Sequence, residues 1–163
     1  MKPVISFIGR HNAGKTTLLR QVMAHLKQQG LKIAFIKHTH HDLIVLPGKD
    51  SELALEAGAD FVAAISPRLS IRYQRHEEEP SLDKILESVP AHIDLIIVEG
   101  FKKEALPKVE VLRQVIDPVP MLLPQTVALV SDFPLESRLP VIALDDVEAV
   151  ARFVRLSCGF SSV

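Results

Sequence analysis

The sequence of 163 residues has almost no cysteine, since Cys158 is the only one. A lone cysteine excludes an internal disulfide and a metal site made of several cysteines. No apolar run approaches the roughly 20 residues that a transmembrane helix needs. The first apolar run ends at Gly9 and polar residues follow it, so we expect no secretory signal. These absences favour a cytoplasmic protein that does not bind membranes.

An excess of charge of one sign is also absent, because 19 basic and 20 acidic residues give a net charge of −1. This balance excludes a general binder of polyanions, and we expect no nucleic-acid partner. The charge is unevenly distributed, however. Residues 1–50 carry a formal charge of +6 and the remaining residues carry −7. A positive first third favours a localised anionic ligand, such as the phosphate of a nucleotide.

The chain alternates short apolar runs with segments of helical periodicity. The runs predict strands at residues 4–8, 32–37, 61–65, 70–73, 93–98, 126–130 and 141–143. Helices are predicted after residue 15, at 51–57, at 82–88 and after Asp146. Strand, helix and strand in so short a unit is the βαβ pattern of a parallel sheet. Five prolines from Pro107 to Pro134 predict loops, with at most an edge strand at 109–112.

A complete phosphate-loop motif follows the first predicted strand and opens the first helix. The pattern G-x-x-x-x-G-K-(S/T) is matched by Gly9, Arg10, His11, Asn12, Ala13, Gly14, Lys15 and Thr16. The glycines let the chain wrap so that backbone N–H groups point at phosphate oxygens. Lys15 would reach the β- and γ-phosphates, and the Thr16 hydroxyl would bind Mg²⁺. The motif predicts an α/β, three-layer P-loop NTPase-like fold, with a mostly parallel sheet flanked by helices and a single nucleotide-binding domain over residues 1–163.

The strand at residues 93–98 is followed by Glu99 and Gly100. In a P-loop protein, an acid at the end of a neighbouring buried strand faces the Mg²⁺. We therefore predict that Glu99 faces the metal, and that Gly100 lets the backbone approach the γ-phosphate. The alternative is an ordinary exposed acid at the end of a strand.

Polar residues also follow the second strand, in a loop predicted over residues 38–50. His38, His40, His41 and Asp42 lie at the sheet edge where α/β proteins bind ligands. They predict contact with a phosphate or with a second anionic substrate, and a transition-metal site is the alternative. Asp50 is either a second acid near Mg²⁺ or a helix cap.

Asp132 follows the strand at residues 126–130, where many P-loop GTPases place the carboxylate that reads guanine. One carboxylate can accept both the N1–H and the N2–H₂ of guanine, which adenine does not offer. The complete N-K-x-D signature is absent, so a capped turn at Asp132 is the alternative.

Five segments together resemble the MobB family, the small GTP-binding adaptor proteins of molybdopterin-guanine dinucleotide biosynthesis. They are Gly-Lys-Thr-Thr-Leu at 14–18, Ile-Lys-His-Thr-His-His-Asp at 36–42, Pro-Gly-Lys-Asp-Ser at 47–51, Ala-Gly-Ala at 57–59 and Val-Glu-Gly-Phe-Lys at 98–102. The segment at 36–42 is much more specific than the phosphate loop, which many families share.

The resemblance implies a homodimer that binds GTP and Mg²⁺, with weak GTPase activity, and works beside the guanylyltransferase that joins GMP to molybdopterin. By position, Gly14, Lys15, Thr16 and Thr17 would hold the phosphates, and Lys15 and Glu99 would serve catalysis. The loop from His38 to Asp42, with Lys49 and Asp50, would line an adjoining ligand site. Molybdopterin or the molybdenum cofactor is a further ligand consistent with the resemblance.

Two alternative functions use the loop at 38–50, as a small-molecule kinase or as a metal-delivery GTPase. A kinase usually carries basic residues on a lid, and residues 135–144 offer only Arg138. The sequence shows no clear arginine finger or water-positioning glutamine, and Arg10, inside the loop, is the only nearby candidate for such an arginine. We therefore predict slow GTP turnover.

Overall fold

The structure, a computed structural model, describes residues 2–41, 43 and 50–161. In chain order its elements are β1 (Val4–Gly9), α1 (Lys15–Gln28), β2 (Ile33–Lys37), α2 (Asp50–Glu56), β3 (Phe61–Ile65), β4 (Ser70–Gln74), α3 (Leu82–Glu87), β5 (Leu95–Glu99), β6 (Lys108–Leu112), β7 (Thr126–Ser131), β8 (Val141–Ala143) and α4 (Val147–Ser157). The chain divides into two compact units, Met1–Thr39 with Ser88–Val163 and His40–Glu87. Each is described by itself, and the single domain over 1–163 stays a prediction.

The larger unit is built on a six-stranded sheet in the order β2-β5-β1-β6-β7-β8, and all neighbours run parallel. The register brings the carboxyl ends of three strands together, since Lys37 pairs with Glu99 and Phe7 pairs with the same Glu99. Gly9, at the end of β1, pairs with Val111 of β6. In open parallel sheets, ligands bind in the crevice at this edge.

Helices α1 and α4 pack against the sheet because each presents an apolar stripe. The stripes join the side chains of alternate strand residues in one core. Asp146 begins α4 by accepting a hydrogen bond from the Ala149 backbone N–H at 2.9 Å. The predicted α/β class with a parallel sheet flanked by helices is therefore confirmed. The helix residues in this core are Leu18, Leu19, Val22, Leu26, Val150, Ala151 and Val154.

The prediction of at most an edge strand at 109–112 is wrong. Strand β6 lies inside the sheet, between β1 and β7, and all five of its residues are buried. Its polar side chains are satisfied internally: Lys108 Nζ donates to the carbonyl oxygens of Glu104, Leu106 and Pro124 at 2.6–3.1 Å. The nearby prolines lie outside the strand, so they leave its ladder hydrogen bonds intact.

The smaller unit contains α2, the antiparallel hairpin of β3 and β4, and α3. Glu52 of α2 is buried and accepts a hydrogen bond from the Tyr73 hydroxyl at 3.0 Å. That hydrogen bond is the main reason that the pKa of Tyr73 is raised. Asp42 and residues 44–49 of the predicted 38–50 loop lie outside the described residues. Among the described residues, no helix has the length and apolar character needed to cross a bilayer.

Candidate functional site

The phosphate loop leaves β1 and enters α1, as its sequence predicts. Gly9 lies so close to β6 that a Cβ at this position would collide with the Val111 carbonyl oxygen. Gly14 adopts a left-handed φ of 83° and precedes the first residue of α1. Both positions therefore require glycine, one for close approach and the other for its backbone angle.

Lys15 folds back over the loop. Its Nζ donates to the carbonyl oxygen of Arg10 at 2.7 Å and to that of Gly9 at 3.3 Å. Burial lowers the pKa of Lys15; Glu99 opposes this effect, and the positive charges of Lys102 and Lys37 add to it. An anion beside this ammonium would favour its protonated form.

Thr16 and Glu99 meet across the edge of the sheet. The Thr16 hydroxyl donates to the two carboxylate oxygens of Glu99 at 3.0 and 3.2 Å, and Lys37 Nζ lies 3.4 Å from Oε1. A hydroxyl and a carboxylate converging in this way offer the oxygen ligands that Mg²⁺ prefers. The two residues thus fit the predicted metal role, which stays a prediction.

These side chains line a cavity of about 340 Å³ with parts of the phosphate loop. Three residues of the predicted loop lie elsewhere: Gly9 is against β6, Ala13 is buried in the core, and Arg10 Nε pairs with the Asp117 carboxylate at 2.9 Å. The residues lining the cavity are His11, Asn12, Gly14, Lys15, Thr16, Thr17, Lys37 and Glu99. We refer to it as the phosphate-loop cavity.

Gly100 and His38 are in close contact. A Cβ at Gly100, which has a φ of 102°, would lie 3.2 Å from both the Cβ and the carbonyl oxygen of His38. The His38 ring also packs against Phe101, with centroids 4.4 Å apart. The carbonyl oxygen of Gly100 also accepts a hydrogen bond from the Ser6 hydroxyl of β1 at 2.8 Å. The ends of β2 and β5 therefore bring these two predicted site residues together.

The other predicted residues of the 38–50 loop belong to the smaller unit or lie outside the described residues. His40 and His41 are exposed, and Asp50 is the first residue of α2, where a carboxylate is favourable. Asp42 and Lys49 lie outside the described residues. Within the described ranges, no three His, Cys, Asp or Glu side chains cluster to hold a metal ion. The roles predicted for this loop stay predictions.

Asp132 lines a second cavity of about 720 Å³, which we call the strand-end cavity. Its Oδ1 accepts the Gln114 backbone N–H at 2.8 Å, and its Oδ2 lies 4.0 Å from Arg113 Nε. A carboxylate has lone pairs for more than one such bond, so guanine recognition and a loop contact are compatible. The cavity is lined by Gln21, Arg113, Asp132, Pro134, Ile142, Leu144, Asp145 and neighbouring residues.

Sequence reasoning missed Arg113, which follows β6 directly. Its guanidinium lies against Gly14, because a Cβ there would be 3.4 Å from Nη2 and 3.5 Å from Nε. The same side chain lines the strand-end cavity. If β6 had been predicted as the neighbour of β1, Arg113 would have been expected near the phosphate loop. The prolines had instead suggested that β6 was at most an edge strand.

Comparison with known proteins gives consistent matches. A family model described as "MobB: Molybdopterin guanine dinucleotide synthesis protein B" matches residues 4–132. The Escherichia coli molybdopterin-guanine dinucleotide biosynthesis adapter protein is 35% identical over 161 residues, covering 94% of this chain and 92% of that protein. The Haemophilus influenzae adapter protein is 30% identical, with coverages of 93% and 87%. A crystal structure of molybdopterin-guanine biosynthesis protein B has a TM-score of 0.77 at 29% identity, covering 94% of this chain and 98% of that one.

Proposed function

The chain belongs to the MobB family, and on that premise we propose that it is a GTP-binding adaptor of molybdopterin-guanine dinucleotide biosynthesis. It assists the guanylyltransferase that joins GMP to molybdopterin. The observation that carries the nucleotide part is the convergence of Lys15, Thr16 and Glu99 in the phosphate-loop cavity. The relatives, named as adapter proteins of this biosynthesis, support the pathway.

The phosphates of GTP occupy the phosphate-loop cavity. Backbone N–H groups at the start of α1 and the Lys15 ammonium bind their oxygens. Thr16 and Glu99 hold Mg²⁺, which neutralises charge on the β- and γ-phosphates when it is bound. Lys37 Nζ, 3.4 Å from the Glu99 carboxylate, adds a further positive charge beside the phosphates.

The guanine base occupies the strand-end cavity, and Asp132 accepts hydrogen bonds from its N1–H and N2–H₂ groups. Two features support this assignment: the cavity adjoins Gly14 through Arg113, and Asp132 stands at its wall. A volume of about 720 Å³ is ample for a nucleoside. Adenine lacks the paired donors, so the site favours GTP over ATP.

The assembly is a homodimer, and its smaller unit supplies apolar surface for contact between copies. Ile65 and Leu69 of the β3–β4 hairpin region are 81% and 67% exposed. Exposed apolar groups of this size on a two-stranded hairpin favour burial against another surface. Molybdopterin, brought by the partner enzyme, is the further ligand of the complex.

A kinase function receives less support. Arg138 lines a cavity of about 350 Å³ with Leu122 and Leu139, and among the described residues none lines both this cavity and the phosphate-loop cavity. A kinase lid closes over the phosphates and brings a basic side chain to them. The position of Arg138 therefore does not favour a kinase.

Calorimetric titration with GTP and with ATP, each with and without Mg²⁺, tests the proposal. We expect Mg²⁺-dependent binding that favours GTP. Equal or tighter binding of ATP would remove the guanine assignment and favour the kinase function. No binding of either nucleotide would overturn the proposal as a whole.

A further inference from the structure

Arg113 occupies the junction of the two cavities. It follows the last residue of β6, and its guanidinium lies next to Gly14 at the start of α1. Its side chain also lines the strand-end cavity with Asp132. The sheet order produces this position, because β6 is the direct neighbour of β1 and both strands end at the same edge.

The charge of Arg113 is poorly compensated there. The start of α1 carries a positive partial charge, and Lys15 adds a full one. The Asp132 carboxylate is 4.0 Å from Arg113 Nε, which is too long for a hydrogen bond. That Nε is buried and has no hydrogen-bond partner among the described residues. A buried donor on a cation, beside two other sources of positive charge, favours a second anion closer than the Asp132 carboxylate.

Arg113 lies between the cavity assigned to the base and the cavity assigned to the outer phosphates. An anion beside Arg113 would therefore lie between these two parts of the nucleotide. In a nucleotide that spans both cavities, the phosphate attached to the ribose is the group at their junction. The side chain of Arg113 is 43% exposed, so such a ligand can reach it. A guanidinium also presents several donors in one plane, which suits a phosphate oxygen pair.

We propose that Arg113 is a nucleotide-binding residue that contacts the phosphate attached to the ribose and so links the strand-end cavity to the phosphate loop. This inference rests on the proposed binding of GTP. It assigns Arg113 a task different from that of Lys15, which serves the outer phosphates. Substituting Arg113 should therefore weaken binding of every ligand that has at least one phosphate. Substituting Lys15 should weaken only the ligands that have the outer phosphates.

Competition against a fluorescent GDP analogue measures this dependence with GTP, GDP, GMP and guanosine. We expect Arg113→Ala to weaken all three nucleotides by a similar factor, about 10-fold or more, and to leave guanosine unchanged. Lys15→Ala should weaken GTP and GDP strongly and GMP little. Arg113→Lys should recover part of the affinity, because it keeps the charge but loses the planar donors.

Arg152→Ala is the matched control, since Arg152 is an exposed arginine of α4. Thermal unfolding of each variant checks that it remains folded. If Arg113→Ala binds the nucleotides as the wild type does, or weakens guanosine as much as GMP, the inference is wrong while GTP binding by the protein stands. If the wild type binds no nucleotide, the proposed function fails and the inference fails with it.

Discussion

At the scale of single residues, the two carboxylate oxygens of Asp132 have different partners. Asp132 uses Oδ1 for the Gln114 backbone N–H, while Oδ2 faces Arg113 at 4.0 Å. The sequence offered guanine recognition or a capped turn as alternatives; Asp132 makes a loop contact through Oδ1 and also lines the strand-end cavity, so guanine recognition stays a prediction. Burial raises the pKa of the Cys158 thiol to about 11, which disfavours the thiolate, the reactive form of cysteine.

We predict that Asp132→Asn lowers the preference for GTP over ATP. Asparagine keeps an oxygen for the Gln114 N–H but cannot accept both guanine donors, so GTP affinity should fall about 10- to 100-fold. ATP affinity should stay unchanged, as measured by calorimetry on both nucleotides.

Asp83→Asn, an exposed change in α3, is the control for charge alone. A preference that survives in Asp132→Asn would show that guanine is read elsewhere. Asp145 would then be the next candidate, because it is the other carboxylate among the described residues that line the strand-end cavity.

At the scale of elements, β6 shows how a strand with charged residues lies inside a sheet. Glu110 accepts the Met121 and Leu122 backbone N–H groups at 2.7 and 3.0 Å, and Lys108 donates to three carbonyl oxygens. Each buried charge therefore holds a loop that follows or precedes the strand. Such contacts offset the cost of burial, which also lowers the pKa of Lys108.

We predict that Lys108→Met destabilises the protein by about 2–4 kcal/mol, because three carbonyl oxygens lose their common donor. Urea unfolding followed by circular dichroism measures the change. Lys27→Met, at an exposed position of α1, should change the free energy of unfolding by no more than about 0.5 kcal/mol. Equal stability of Lys108→Met and the wild type would mean that the ammonium contributes no net stabilisation.

At the scale of the whole molecule, the distribution of charge favours binding of phosphate more than its rapid hydrolysis. The positive first fifty residues, with a formal charge of +6, supply both the phosphate loop and Lys37. Among the described residues lining the phosphate-loop cavity there is neither a glutamine nor an arginine. Arg10 is paired with Asp117, and Arg113 lines the strand-end cavity.

We predict that the isolated protein hydrolyses GTP slowly, with turnover far below the roughly 1–100 s⁻¹ of kinases. The reason is that the described residues lining the phosphate-loop cavity include no glutamine to position water and no arginine, so Lys15 and a bound Mg²⁺ would stabilise the transition state without them. Release of phosphate over hours, with Lys15→Ala as the background control, measures the rate. Fast steady-state turnover would contradict this view of the site.

The sequence by itself determined the features that depend on neighbouring residues. The phosphate loop, from Gly9 to Thr16, is one contiguous strand–turn–helix segment, and its Gly14 is required by a left-handed backbone angle. The apolar runs likewise predicted the α/β class, because periodicity and burial are properties of each segment. Glu99 was singled out in the same way, since it follows the apolar run at residues 95–98.

Only the tertiary structure decided which strands are neighbours. The place of β6 between β1 and β7 arises from pairings between distant parts of the chain, which a local pattern does not encode. That place buries Lys108 and Glu110 and brings Arg113 to Gly14. The strand-end cavity has the same origin, because its walls come from α1, β7, β8 and the residue after β6.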